Sequence, residues 1–365
     1  MTPASEPRNT RPYDALLLVS FGGPEAPEEV MPYLERVTAG RGVPPERLEE
    51  VAQHYLHFGG RSPINDQNRA LLAALRTELD ARGLDLPVYW GNRNSEPFLA
   101  DTLATMASDG VHRVAAFVTA GYSSYSGCRQ YRENLAAAVA EVGEGAPRLD
   151  KLRHYFDHPG FVAANADALA EALAQVSDPA SAALAFVTHS IPVAMQDASG
   201  PHGGAYTAQH RAAAEAIVTH VRSRGVSVPD WDLVFCSRSG PPQVPWLEPD
   251  VNDHLQARAA AGAQAAVLAP IGFVSDHMEV VFDLDTEARE TADRLGLTLV
   301  RAATAGVHPA FVAMVVDLLL ERAAAERGEQ VPRPALSPLG PSHDVCPAGC
   351  CPNPRRPLPA LSGSD

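Results

Sequence analysis

Short apolar runs alternate with longer segments of helical period along nearly the whole chain, and that alternation admits little besides parallel sheet with crossover helices. Strand-like runs fall at 14–20, 87–91 and 113–119, and again at 183–188, 232–236, 265–269 and 298–301. Helical patterns fill the intervals, near 28–37, 45–56, 65–81, 98–107 and 129–142, then near 161–175, 205–223, 251–261, 276–295 and 309–327. A chain of 365 residues is too long for one ordinary core. It suits two lobes of roughly 150 residues each. The expected fold is α/β: two similar doubly wound, Rossmann-like lobes with parallel sheets and a cleft between them. The pattern divides the chain into a flexible N-terminus over 1–12, a first lobe over 13–150, a second over 151–308 and a C-terminal helix over 309–330, with an irregular link over 143–157. Beyond it, nine prolines in 35 residues and no periodic apolar face make 331–365 a cysteine-containing tail that needs an anchor to be ordered.

A formal charge of −15 and the lack of any dense Lys/Arg patch argue against a nucleic-acid partner and are compatible with attracting cations. The opening residues have no apolar core of signal-peptide length, and no later stretch reaches the ~18 unbroken apolar residues that span a bilayer. A cytoplasmic monomer with at most peripheral membrane contact is expected. In that compartment the five cysteines are free, catalytic or metal-bound and not disulfides.

In open parallel sheets, ligands bind beyond the carboxyl ends of the strands. Every polar or glycine-rich motif falls at such an edge: Phe21-Gly22-Gly23-Pro24, Tyr122-Ser123-Ser124-Tyr125, His189-Ser190-Ile191-Pro192, Ser237-Arg238-Ser239-Gly240 and the loop 272–275. The segment PIGFVSDHMEVVFDLD, from Pro270 to Asp285, sets a strand end directly before a helix carrying Asp276, His277, Glu279 and Asp283. Carboxylates and an imidazole delivered together handle a cation or protons.

The combination of FGGP, HYLHFGGRSPIN at His54 to Asn65, THSIP, SRSGPPQVPWLEPD at Ser237 to Asp250, and PIGFVSDHMEVVFDLD resembles the ferrochelatases, in the expected order from about Tyr13 to Arg327. The tail and its cysteines are similar to the actinobacterial branch of that family. The resemblance implies a chelatase-like fold and insertion of Fe2+, as substrate, into a porphyrin. That branch favours coproporphyrin III, giving coproheme, with protoporphyrin IX as the alternative. A cobalt or nickel chelatase acting on another tetrapyrrole, or a tetrapyrrole or metal carrier, would share the cleft, but a carrier would not need Glu279.

Iron insertion requires the loss of two pyrrole protons. His189, at a buried strand end, is the expected base and a transient ligand of Fe2+, since a neutral imidazole with a pKa near ~6.5 accepts a proton at cellular pH. Glu279 is its expected partner across the ring, binding hard Fe2+ or relaying a proton. Asp283 and Glu287 follow at four-residue steps, a row that lines up if the helix widens toward π geometry and could pass cations inward. Asp276 either joins that iron route or merely caps the helix, and His277 would support the site. A solvated acidic face is the plain alternative for Glu287.

By resemblance, Phe21, Ser62, Tyr122, Tyr131 and Trp246 lie near the macrocycle, though aromatics more often fill interiors. The sequence departs from the better-known coproporphyrin branch: Phe21 stands where a tyrosine proximal to iron is found, and Thr38 and His54 replace two arginines. Arg41, Arg61 and Arg129 are then the candidate propionate partners.

Cys346, Cys350 and Cys351 stand as C-x3-C-C in the tail, a spacing that suits a soft-metal or iron–sulfur site. The resemblance implies a 2Fe–2S cluster on these three with Cys128 as the fourth ligand. A Cys3His zinc site using His343 and an idle tail are the competing readings. Cys236, inside an apolar strand, reads as a buried thiol.

Overall fold

A computed structural model of the chain describes residues 9–40 and 42–364. The first half runs β1 (Ala15–Ser20), α1 (Pro27–Thr38), α2 (Pro45–His57), α3 (Ile64–Ala81), β2 (Val88–Asn92), α4 (Leu99–Ser108), β3 (Arg113–Val118), α5 (Gln130–Val142) and β4 (Arg148–Lys151). The second half runs α6 (Pro159–Leu173), β5 (Ala183–His189), α7 (Val193–Asp197), α8 (Ala205–Ser223), β6 (Trp231–Cys236), α9 (Val251–Ala260), β7 (Ala265–Ala269), α10 (Met278–Phe282), α11 (Ala288–Leu295), β8 (Thr298–Arg301) and α12 (Pro309–Glu326).

The strands form two four-stranded sheets, ordered β2-β1-β3-β4 and β6-β5-β7-β8, with every pair parallel. The same order in both halves is the expected twin α/β plan. All six residues of β1 are buried, because helices cover both faces of a parallel sheet, and so β1 reads as a continuous apolar run instead of an alternating one. One apolar cluster joins Leu16 and Phe117 of the first sheet to Phe186 and Val267 of the second through Tyr122, Phe161 and Phe311. The helix α12 packs on both α3 and α6. Truncating fully buried Phe311 to Ala would cost about 3–5 kcal/mol by this packing. The sheets are thus fixed relative to one another, with strand ends opening toward a common edge.

Two departures matter. The link expected over 143–157 contains β4, which pairs with β3 from Arg113↔Arg148 to Ala116↔Lys151. Its sequence RLDK has one apolar residue, so pattern alone hides it; Asp150 is buried there because Arg113 binds its carboxylate at 2.6 Å. The helix expected over 276–295 begins later, at Met278; the widening expected at its carboxylate row is present as a π turn at Asp283–Glu287, closed by a hydrogen bond from the Ala288 N–H to the Asp283 carbonyl.

The tail is ordered by specific anchors. Leu336 donates its N–H to the Asp157 carbonyl (2.9 Å), Arg129 donates to the Leu358 carbonyl (3.0 Å), and the Cys346 N–H reaches the Ser362 carbonyl (2.9 Å). Glu321 of α12, buried, receives both Arg153 (2.6 Å) and Arg333 at the start of the tail (3.1 Å). Of the N-terminal segment expected to be flexible, residues 1–8 lie outside the described residues; Asn9 and Arg11 accept hydrogen bonds from Arg327. No helix among the described residues is long and apolar enough to cross a membrane.

Candidate active site and cysteine site

His189 ends β5 and Glu279 opens α10, so the carboxyl edge of the second sheet brings them together: Nε2 and Oε1 are 3.5 Å apart. That spacing corrects the expectation that they face each other across a macrocycle. A flat ring between two groups needs a van der Waals gap on each face, about 7 Å in all, so no ring fits between them in this arrangement. The Nδ1–H of His189 is held by the Ser190 carbonyl, which aims Nε2 at the carboxylate.

The protonation state is also corrected. Burial pulls the His189 pKa down, but the Glu279 charge and hydrogen bond, with the Ser190 carbonyl and the Asp283 charge, outweigh it and raise it to about 9. The imidazole is therefore charged at neutral pH and cannot accept a proton until something neutralises Glu279.

Asp283 begins the π turn and accepts a hydrogen bond from the Ser237 hydroxyl. Burial raises its pKa to about 7, and repulsion from Glu279 and Glu287 adds to the rise against the opposing Ser237 bond. Glu279 and Asp283 are half-buried and Glu287 is exposed. Asp250, beside Glu287 and capping α9 through the Asn252 N–H (2.8 Å), extends the acidic face and was not singled out from sequence. Ser237, with φ +61°, was seen only as part of a loop motif.

Asp276 does not cap the helix and is not directed into this row. Arg301 binds it at 3.2 Å and binds Asp285 at 2.6 Å, and the Thr304 hydroxyl donates to it. The cap is His277, whose Nδ1 accepts the Glu279 N–H at 3.2 Å, and burial lowers its pKa.

An apolar cluster of Val30, Tyr33, Leu34, Ala52, Tyr55 and Met278, with Phe21, Phe58 and Phe282 against it, packs α1 and α2 over α10 beside this pair. His54 belongs to that contact, stacked on Phe282 with centroids 3.7 Å apart, and burial lowers its pKa. Thr38 donates its hydroxyl to the Leu34 carbonyl (2.7 Å). Phe21 and Trp246 are half-buried, whereas Ser62 is buried against Gly23. Tyr122 and Tyr131 do not line an open wall. Tyr122 is stacked on His210 at 3.5 Å in the core between the sheets and donates to the Ile271 carbonyl, and Tyr131 lies buried under Arg93.

Of the propionate candidates, Arg41 lies outside the described residues and exposed Arg61 is paired with Asp66 at 2.6 Å. Arg129 is buried on Glu133 and the tail, which corrects its assignment: it anchors the C-terminus. Arg93, missed from sequence, lies over Phe21 at 5.2 Å, and the signal that could have found it is its place directly after β2.

Away from the cleft, Cys128, Cys346, Cys350 and Cys351 form one buried cluster. Cys128 comes from a π turn at Tyr125–Arg129, and the tail supplies the other three. Cys346 is hydrogen-bonded by Cys128 and Cys350, which holds its thiol low and pushes its two donors up. A ring nitrogen of His343 and the sulfurs of Cys346 and Cys350 lie within 4.8 Å of one another. Cys236 is a buried thiol on β6.

Twin parallel sheets of this order, meeting over an imidazole and a row of carboxylates, define a metal chelatase. The fold is shared with SirB from Bacillus subtilis, solved with Fe3+ (TM-score 0.50, 12% identity, 86% of this chain and 97% of that one). The ferrochelatase family model matches residues 13–323. Curated relatives include the coproporphyrin III ferrochelatases of Streptomyces griseus (58% identical, covering 99% of both chains) and Streptomyces coelicolor (59%, covering 97% of both). Another is the ferrochelatase of Rhodopirellula baltica (51%, 95% of both). The chain belongs to the ferrochelatase family.

Proposed function

We propose that this chain inserts Fe2+ into coproporphyrin III, giving coproheme, with His189 and Glu279 as the reacting pair on one face of the ring. The observation that carries this reading is the 3.5 Å contact between them at the first member of the row Glu279, Asp283 and Glu287. The substrate is that of the two Streptomyces relatives just given. Fe2+ would pass from Glu287 to Asp283 to Glu279, hard carboxylate oxygens that exchange for its water. Once the ion sits on Glu279 it cancels the charge that keeps His189 protonated. The freed imidazole then accepts one pyrrole N–H proton, and Asp283, poised near neutrality, can relay the second. The ring would enter between α10 and the α1–α2 pair, displacing the contacts of Phe21, Met278 and the His54–Phe282 stack, with Trp246 at its rim and Arg93 as a propionate partner. Turnover with Fe2+, Co2+ and Ni2+ against coproporphyrin III and protoporphyrin IX tests the assignment. Fe2+ with coproporphyrin III should dominate, and His189→Ala should abolish insertion while porphyrin fluorescence still reports binding. Full turnover in that variant overturns the site.

Cys128, Cys346, Cys350 and Cys351 would hold a 2Fe–2S cluster, four buried thiols being the donor set that such a group takes. When bound, it would supply electron transfer or a redox-labile cross-link outside the cleft. The proximity of His343 to Cys346 and Cys350 favours zinc as the second reading. Visible absorption, acid-labile sulfide and the Fe:Zn ratio of purified protein separate the two.

A further inference from the structure

The start of α8 touches both sites, yet belongs to neither. On one side, Cys351 Sγ accepts the Gly200 N–H at 3.1 Å. Gly200 has φ +75°, and a Cβ there would come within 2.5 Å of the Ala205 Cβ, so the loop can approach the sulfur only with glycine at this position. Its neighbour Ser199 is fully buried; its hydroxyl donates to the Gln196 carbonyl (2.6 Å) and its oxygen accepts the Tyr206 N–H (2.8 Å). Gln196 Oε1 in turn accepts the Thr207 N–H (3.1 Å). These bonds satisfy the first amides of α8, which its N-cap Gly204 has no side chain to cap.

On the other side, the Tyr206 phenol donates to the backbone carbonyl of His189 at 2.8 Å. One turn later His210, held neutral by burial with its pKa lowered to about 3, donates Nδ1–H to the Tyr206 carbonyl (2.7 Å) and leaves Nε2 to accept the Thr188 hydroxyl (2.9 Å). The last two residues of β5 are therefore gripped by the first turns of α8, and that turn is seated on a loop bonded to Cys351.

We propose that Tyr206 is a positioning residue for metal insertion, holding His189 against Glu279, and that its seating depends on the Cys351–Gly200 contact through Ser199. The proposal rests on the reading of His189 given above. Positioning of a reacting group acts on the transition state more than on substrate binding, so it separates kcat from KM.

The test uses the full-length protein with its native metal content. Tyr206→Phe keeps the ring and removes the hydroxyl, with its bonds to the His189 carbonyl (2.8 Å) and the Thr188 hydroxyl (2.9 Å); kcat should fall at least about tenfold, the cost of one such bond, with the porphyrin KM and fluorescence-read Kd unchanged. Ser199→Ala, which touches no cysteine, and Cys351→Ser should each speed hydrogen exchange at the Tyr206 and Thr207 amides and lower kcat by a similar factor. Combined with Tyr206→Phe, neither should lower kcat further. Wild-type kcat in Tyr206→Phe beside an inactive His189→Ala overturns this proposal alone, and an active His189→Ala overturns the site reading with it. Unchanged exchange at those amides in both Ser199→Ala and Cys351→Ser removes the link to the cysteines.

Discussion

Replacing Glu279 with Gln isolates the interaction that sets the charge of the site. In the wild type, burial alone would bring His189 below the usual 6.5, and the carboxylate 3.5 Å away is the main opposing force that lifts it to about 9. The amide keeps the shape and removes the charge. The Ser190 carbonyl and the distant Asp283 are then the only raising influences against burial, and His189 should titrate at or below 6.5. That is a fall of about 2.5 units, or roughly 300-fold in proton affinity. At pH 7.5 about 97% of wild-type His189 rings carry the extra proton, against about 9% in the variant. Titration of histidine 13Cε1–H resonances from pH 5 to 10 reads this directly, with a His189→Asn sample assigning the signal among the 13 histidines. If His189 still titrates above 8 in Glu279→Gln, the carboxylate is not the source of the shift and the coupling of iron to proton release falls.

The same electrostatics gives Asp283→Asn a distinct signature: the rise of kcat/KM for Fe2+ through pH about 7 expected in wild type should vanish, and KM for iron should increase roughly tenfold, one lost charge contact. A wild-type inflection that survives in the variant assigns the group elsewhere. Arg153→Met leaves Glu321 buried with only Arg333 for company, so urea unfolding should show a loss of about 3–5 kcal/mol; a loss below 1 kcal/mol would mean that Arg333 alone neutralises it. The pH dependence of stability should peak near 6.5. His189, raised in the folded state, favours folding fully below 6.5 and loses that contribution as pH climbs through about 9; His158 and His210, lowered to about 4 and about 3, favour folding above 6.5 and lose theirs as pH falls toward those values. A midpoint temperature that keeps rising from pH 6.5 to 9 contradicts this.

The fold was legible because parallel strands buried on both faces leave uninterrupted apolar runs, such as those of β1, β5 and β7, and their ends mark the ligand edge. The strand β4 was not, since its pairing depends on Arg113 and Arg322 neutralising Asp150, partners remote in sequence. Within the site, the widened turn at Asp283 matches the condition under which four-residue spacing would line up the carboxylates, because i,i+4 periodicity is local. What spacing cannot reveal is which face of a ring two side chains share, or the charge of an imidazole whose carboxylate partner is 90 residues away. The tail shows the same limit: its composition signals disorder, and partners remote in sequence, among them the sulfurs, Arg129, Asp157, Arg153 and Glu321, hold it in place once tertiary packing brings them together.

A resting site with its proton on His189 fixes an order of events. Removing ring protons needs a neutral imidazole, and nothing in the resting pair provides one at neutral pH, since the pKa of about 9 leaves His189 charged. An ion bound to Glu279 cancels the raising charge, after which burial alone favours the neutral ring. On the proposed roles of this pair, iron reaches Glu279 before the first pyrrole proton leaves. Adding Fe2+ under anaerobic conditions to porphyrin-free protein at pH 7.5 should then release close to one proton per site from His189, and about 0.2 more from Asp283, whose pKa of about 7 leaves it partly protonated there. A pH-indicator dye in weak buffer measures the release. In Glu279→Gln it should nearly disappear, because His189 has already lost its proton, and in His189→Asn only the Asp283 fraction should remain. Release of a full proton in His189→Asn would show that another group carries it and that the imidazole is not gated by the incoming ion.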